Sequence, residues 1–303
     1  MYLAATNMFI KSFIGFLKNE RKYSQHTLRA YEGDLRAFED YLQGVDSSLS
    51  IIDADMDLLR SWAAGMVEKG GAASSVCRKL SALRSFFTYV RAEGKKLENP
   101  AVSVRGPKRR KSLPVFLKEQ EMNELIDEVS FGEGFDACRD RTIIMCFYET
   151  GMRLSELVAL DMASVDMQQG QIKVLGKRNR ERIVPFATEL RKELEHYIEE
   201  RSRVVAASEG ALFVTSKGLR MSQAQVYRLV CKRLSLVTTV KKKSPHTLRH
   251  SFATAMLNND AELVAVKELL GHRQLATTEI YTHLTFEDLK RYYEKAHPRA
   301  DIN

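Results

Sequence analysis

Six side chains stand at spacings that suit phosphate chemistry. Arg153 follows Thr150-Gly151-Met152 and opens the helical stretch LSELVAL. Pro245 starts another helix, in which His246 and Arg249 lie three apart on one face. His272 follows Gly271 at a helix end, and Tyr281 comes nine residues later in TTEIYTHL. Lys177 stands in the polar turn GKRNRE between two apolar segments. Basic donors at helix termini suit a tetrahedral phosphate, because its transition state gathers negative charge on the oxygens. Arginine does this best, since its planar fork binds two phosphate oxygens at once. Taken singly, each residue also has an ordinary reading: a helix-end Arg is a solvated cap, and a tyrosine is packing. A metal pair is a further alternative, with His246 and His250 at i, i+4 and His272 as third ligand. Against it, HTLRH contains no carboxylate and Arg249 would repel a dication, so no metal is assigned. The chain has no Gly-rich phosphate loop, no G-x-S-x-G and no H-E-x-x-H.

The elements that must carry these residues are mostly helices. Four amphipathic stripes fill the first hundred residues. They are Phe9, Phe13, Phe16 and Leu17; Leu28, Tyr31, Leu35, Phe38 and Leu42; Met56, Leu59, Ala63 and Met66; and Val76, Leu80, Leu83, Phe87 and Val90. Ser24 reads as an N-cap, Gly70-Gly71 as a stop, and the last stripe leaves Arg78, Lys79 and Arg91 on its outer side. This predicts an all-helical bundle over residues 1–100. The pattern breaks in GKKLENPAVSVRGPKRRKSLP, whose three prolines and the run Lys108, Arg109, Arg110, Lys111 mark a basic linker over 101–114. Such a run is either a solubility device or a strip along a phosphate backbone. The second domain, 115–303, is helical apart from a β-hairpin, Gln171–Leu175 with Arg182–Phe186, and a short strand expected at Leu212–Thr215. Helices are expected over Gln223–Leu236, His246–Asn258, Ala261–Leu270, Thr277–Leu284 and Phe286–Lys295.

The charge balance points the same way as the candidate site. Lys and Arg number 47 against 39 Asp and Glu, a net charge of +8, which favours an anionic partner such as nucleic acid or a membrane surface. The excess sits early: 19 basic and 12 acidic residues precede Ser112. The four cysteines are far apart with no C-x-x-C pair, which argues against a disulfide framework. No apolar run approaches a membrane span, and Lys11 interrupts the N-terminal apolar stretch, so no signal peptide is read. These features predict a soluble, cytoplasmic protein.

In order, T-G-M-R-L-S-E-L, G-K-x-N-R-E-R, H-T-L-R-H-S-F-A, L-L-G-H and Y-T-H resemble the signature of the tyrosine recombinase (phage integrase) family. YSQHTLRAYEGDLRAFEDYL resembles that family's N-terminal core-binding domain, and the ending LKRYYEKAHPRA is similar to that of the Xer recombinases. The resemblance implies a mainly α fold, with a four-helix SAM-like core-binding domain followed by a mostly helical catalytic domain. It implies that Arg153 and Arg249 grip the scissile phosphate and that Tyr281 attacks it. Lys177 would then protonate the leaving oxygen, His246 would assist proton transfer and His272 would donate a hydrogen bond. No cofactor is needed, because the tyrosyl ester stores the phosphodiester energy. The family's hairpin commonly reads G-K-G with a second lysine, where this chain has Arg178 and Arg180. His250 also matches a family position and is read as structural.

The implied partner is a double-stranded dyad site, bound by a homo- or hetero-tetramer. A second Xer-type recombinase and a DNA translocase are possible companions in resolving chromosome or plasmid dimers. Arg78, Lys79, Lys108, Arg109, Arg110 and Lys111 are the candidate DNA contacts. The rivals are a mobile-element integrase, a type IB topoisomerase and a non-enzymatic DNA-binding protein on the same scaffold. The tail helix carries Phe286, Leu289, Tyr292 and Tyr293 as an apolar stripe. By the resemblance it docks on a neighbouring protomer, with packing on its own domain as the alternative.

Overall fold

The structure is a computed structural model, and it describes residues 2–108, 115–176, 181–205, 210–271 and 284–300, with side chains from residue 7 onward. Two compact units divide at Ser112 and Leu113. Among the described residues there are twelve α-helices and one three-stranded sheet, a mainly α fold.

The first unit holds α1 (Tyr2–Asn19), α2 (Gln25–Val45), α3 (Met56–Glu68) and α4 (Ala73–Ala92). Ser24 and Asp55 cap α2 and α3 by accepting the amides of Thr27 and Leu58, which satisfies donors left free at a helix start. Leu35, Phe38, Leu42, Leu80, Leu83, Phe86 and Phe87 are fully buried, so the stripes on α2 and α4 face the core as their spacing requires. On α1 the buried set is Ile10, Phe13 and Leu17, while Phe9 and Phe16 are only partly covered. The stripe expected there holds at Phe13 and Leu17, while Ile10 and not Phe9 completes the i, i+3, i+7 row. Trp62 joins Leu59 and Ala63 on α3 and packs on Phe38 with ring centroids 4.8 Å apart. The segment read as a linker begins on this unit: Ala101 and Val104 are buried there, their carbonyls held by the Arg84 guanidinium at 3.0 and 2.5 Å.

In the second unit, α5 (Glu119–Asn123) runs into a π-helical turn, and α6 (Phe135–Thr150) forms the central helix. Ile143 to Thr150 are all buried, so α6 is enclosed on every side over its second half. A short α7 (Leu154–Val158) leads to β1 (Val165–Asp166), β2 (Gln171–Leu175) and β3 (Glu181–Pro185), an antiparallel sheet in that order. Ile172, Val174 and Val184 turn inward, with Ile172 opposite Val184. The hairpin stands where the sequence predicts it, but the two-residue β1 is too short to leave a periodic signal. At Leu212–Thr215 the expected strand is not formed; only isolated bridges occur, Asp161 with Ala211 and Val214 with Arg220. The backbone there turns back at Gly218, in the left-handed region, before a ladder can extend.

The remaining helices are α8 (Thr188–Val204), α9 (Gln223–Leu234), α10 (Pro245–Asn258), α11 (Leu263–Leu270) and α12 (Phe286–Ala296). The helix expected over Thr277–Leu284 falls almost wholly outside the described residues. In the single chain, part of the α12 stripe packs on its own unit. Tyr293 and Ala296 are buried in the core of their own unit, and the Tyr293 hydroxyl donates to Glu149 at 3.3 Å. His297 stacks on Tyr293 at 4.9 Å, and Arg299 forks onto Asp127 with both bonds at 2.9 Å while reaching Glu189 at 2.6 Å. No helix is long and apolar enough to cross a membrane among the described residues.

Candidate active site

Two left-handed glycines build the ground on which the arginines stand. Helix α6 ends at Gly151 (φ 57°) and α11 at Gly271 (φ 63°), each a C-terminal turn that a side chain would strain. A Cβ on Gly151 would meet Phe252 at 2.5 Å and Leu270 at 2.8 Å, so the two helix ends are in close approach. The carbonyls at such ends lack helical partners and carry the negative end of the helix dipole. Arg249, 6 % exposed, takes two of them: it donates to Gly151 O at 2.6 Å and to Leu270 O at 2.7 Å. It therefore ties α10 to the ends of both α6 and α11.

Arg153 caps α7, and Glu156 three residues on reaches back to its amide at 2.7 Å. The Arg153 guanidinium donates to Glu156 Oε1 at 2.7 Å and to Gly271 O at 3.0 Å. Arg182 on β3 grips the same carboxylate with both prongs, at 2.9 Å each, and donates its Nε–H to Leu269 O at 2.9 Å. One buried carboxylate thus holds two guanidinium groups, and with Arg249 nearby the cluster has an excess of two positive charges. Burial pushes the Glu156 carboxyl up, but the hydrogen bonds and charge of Arg182, then the hydrogen bonds of Arg153, outweigh it and hold it at about 2. Burial, then the charge of Arg153, brings Arg249 down to about 10, which leaves it charged at neutral pH. Preformed positive charge of this kind is what an anionic transition state requires.

Arg153 and Arg249 are thus brought together. His246 lies on the first turn of α10, exposed, on the helix that carries Arg249. His250 is exposed too, and burial, then the charges of His246 and Arg249, lowers its pKa. Lys177, Arg178, Arg180, His272 and Tyr281 lie outside the described residues, as do Arg109, Arg110 and Lys111. Among the described residues no group of three His, Cys, Asp or Glu is arranged to hold a metal. In the first unit Arg78 pairs with the buried Asp34, and the Lys79 ammonium lies 5.3 Å above the Trp62 ring. Lys108 is exposed. Glu156 and Arg182 were missed in the sequence. A Glu three residues after the helix-opening Arg153, able to reach back to its amide, is the signal that could have found the first.

Comparison with known proteins gives this cluster a family. The phage integrase family profile matches residues 115–288, and its N-terminal SAM-like domain matches 10–94. The chain belongs to the phage integrase family of tyrosine recombinases. Its curated relatives in that family include tyrosine recombinase XerC of Thermodesulfovibrio yellowstonii, 37 % identical over 97 % of each chain. Tyrosine recombinase XerC of Pelotomaculum thermopropionicum is 38 % identical over 96 % of this chain and 98 % of its own. Among solved structures, the integrase-family fold is shared with XerH recombinase bound to difH substrate, with TM-score 0.69 and 24 % identity over 93 % of this chain and 83 % of that one. It is also shared with a lambda integrase dimer bound to a COC′ core site, with TM-score 0.71 and 17 % identity over 92 % and 99 %.

Proposed function

We propose that this chain performs site-specific strand exchange on duplex DNA through a 3′-phosphotyrosyl intermediate. The observation that carries the reading is the cationic cluster at two helix ends, with Arg153 and Arg182 on the carboxylate of Glu156 and Arg249 beside them on the helix-end carbonyls. Arg153 and Arg249 grip the nonbridging oxygens of the scissile phosphate. Tyr281 Oη attacks phosphorus, its proton passing to a base assisted by His246, and the bond to the 5′ oxygen breaks. Lys177 protonates that oxygen, while His272 donates a hydrogen bond to the phosphate. The phenol needs this setting because its ordinary pKa near 10 leaves it protonated at neutral pH. Religation reverses the same steps, so neither metal nor ATP enters.

In this reading residues 1–100 are the core-binding domain, 101–114 a basic strap and 115–303 the catalytic domain. Arg78, Lys79, Lys108, Arg109, Arg110 and Lys111 contact the DNA backbone. The assembly is a tetramer on two dyad sites in the cytoplasm, acting with a second Xer-type recombinase and a DNA translocase to resolve chromosome or plasmid dimers. The XerC relatives and the fold shared with a recombinase on its difH substrate support that choice.

The test is covalent capture in EDTA on nicked duplexes carrying candidate dyads, with the joined DNA segment recovered and sequenced. The wild type is expected to form an adduct, and Tyr281→Phe to bind but form none. An adduct with the phenylalanine variant would move the nucleophile elsewhere, and a requirement for a divalent ion would refute the metal-free chemistry.

A further inference from the structure

We propose that Arg182 is a positioning residue of the strand-exchange site, acting through Glu156 to hold the Arg153 guanidinium and the end of α11 in register with the β2–β3 hairpin. The inference rests on the function proposed above and adds a residue to it.

Four hydrogen bonds fill the Glu156 carboxylate, and Arg182 supplies two of them. Each oxygen is shared: Oε1 between the two guanidiniums, and Oε2 between Arg182 and the Arg153 amide. The position of Arg153 is therefore set by a carboxylate that Arg182 pins from the opposite side. Without Arg182 the whole charge of a 3 % exposed carboxylate falls on Arg153, and the local excess of positive charge drops from two to one.

The same guanidinium reads the backbone. Its Nε–H binds Leu269 O, and a Cβ on Gly271 would lie 3.4 Å from Arg182 Cδ and Nη1. Residue 271 immediately precedes His272, and Arg182 follows the turn that carries Lys177 by one strand residue, Glu181. One side chain thus joins the stretches leading to three candidate groups, Arg153, His272 and Lys177. Lysine cannot replace it fully, because a point charge has no second prong for the carboxylate.

Arg182→Gln, Arg182→Lys, Glu156→Gln and the Arg182→Gln/Glu156→Gln double variant separate the possibilities. The probe is a nicked duplex built on the DNA segment captured by the wild type. Arg182→Gln should cut single-turnover cleavage by about 10²-fold, the scale of a misplaced reacting group, with DNA affinity changed less than about threefold. Arg182→Lys should recover part of the loss. In the Glu156→Gln background Arg182→Gln should cost little more, since its route of action is already gone. Additive losses, or wild-type cleavage by Arg182→Gln, would overturn the proposal. A DNA-free readout stands beside these: the Arg153 Nη–H signals in NMR should be sharp and protected in the wild type, where they bond Glu156 and Gly271, and exchange-broadened in Arg182→Gln. An unchanged signal refutes the positioning role whatever the DNA result. Failure of the wild type to form any adduct would instead refute the strand-exchange reading.

Discussion

Glu149 offers a test in which the sign of the pH dependence can be worked out from the structure. Its side chain is fully buried near the end of α6, Oε2 accepts from Tyr293, and Oε1 has no hydrogen-bond partner among the described residues. Burial raises its carboxyl to about 8, against the charge of Arg299 and with that of Glu189. A folded-state value above the unfolded one means the protonated form favours folding, fully so below about 4.5. That contribution is lost as pH climbs through 8. At about 1.4 kcal/mol per pH unit, the span amounts to roughly 5 kcal/mol. Glu149→Gln keeps an acceptor for Tyr293 and removes the ionisation, at a cost of about 1 kcal/mol for new buried amide donors. The variant should therefore be slightly less stable than wild type at pH 5 and more stable by about 3 kcal/mol at pH 8.5. Urea unfolding followed by far-UV circular dichroism at pH 5, 6, 7 and 8.5 measures the difference. The sole tryptophan, Trp62, lies in the first unit, so its fluorescence transition is the internal control and should not move. His297, held near 3 first by its burial, titrates in both proteins and cancels. A difference that is flat or falls with pH would refute the reasoning.

Two further outcomes follow from the same packing. Gly151→Ala should destabilise the second unit by about 2–5 kcal/mol, combining left-handed strain with overpacking against Phe252 and Leu270. Gly218→Ala, also left-handed but 3.6 Å from its nearest neighbour, should cost only about 1 kcal/mol in the same urea titration. Equal effects would show that the close approach of the two helix ends is not tight. Arg299→Ala should leave the fold intact but speed amide exchange along α12 about tenfold or more, an opening cost of roughly 1.4 kcal/mol; unchanged protection would mean that Tyr293 and Ala296 hold the tail alone.

The sequence was most legible where one face of an element is buried and the other is wet. Leu35, Phe38 and Leu42 on α2 and Ile172 and Val174 on β2 announce themselves by period alone. On α6 both faces of its second half are buried, so no period exists to read there, and β1 is shorter than one alternation. In the candidate site the motif residues Arg153 and Arg249 could be picked out as cations at helix ends, but their partners could not. The acceptors of Arg249 are carbonyls, which every residue has, and Arg182 comes from a strand 26 residues beyond Glu156. On α12 an amphipathic stripe specifies that a face is covered, not by which chain.

The backbone anchoring of Arg249 has a consequence for how the site withstands mutation. A guanidinium held by aspartate or glutamate can lose its partner to a single base change. The carbonyl oxygens of Gly151 and Leu270 cannot be removed by any substitution; only a change in the path of the chain displaces them. The heritable information for this half of the site thus resides in two left-handed turns and one arginine. Variation at Leu270 is free to change the side chain as long as it still packs beside Gly151. The half that depends on Glu156 has no such protection, because there both partners are side chains and each is a separate target.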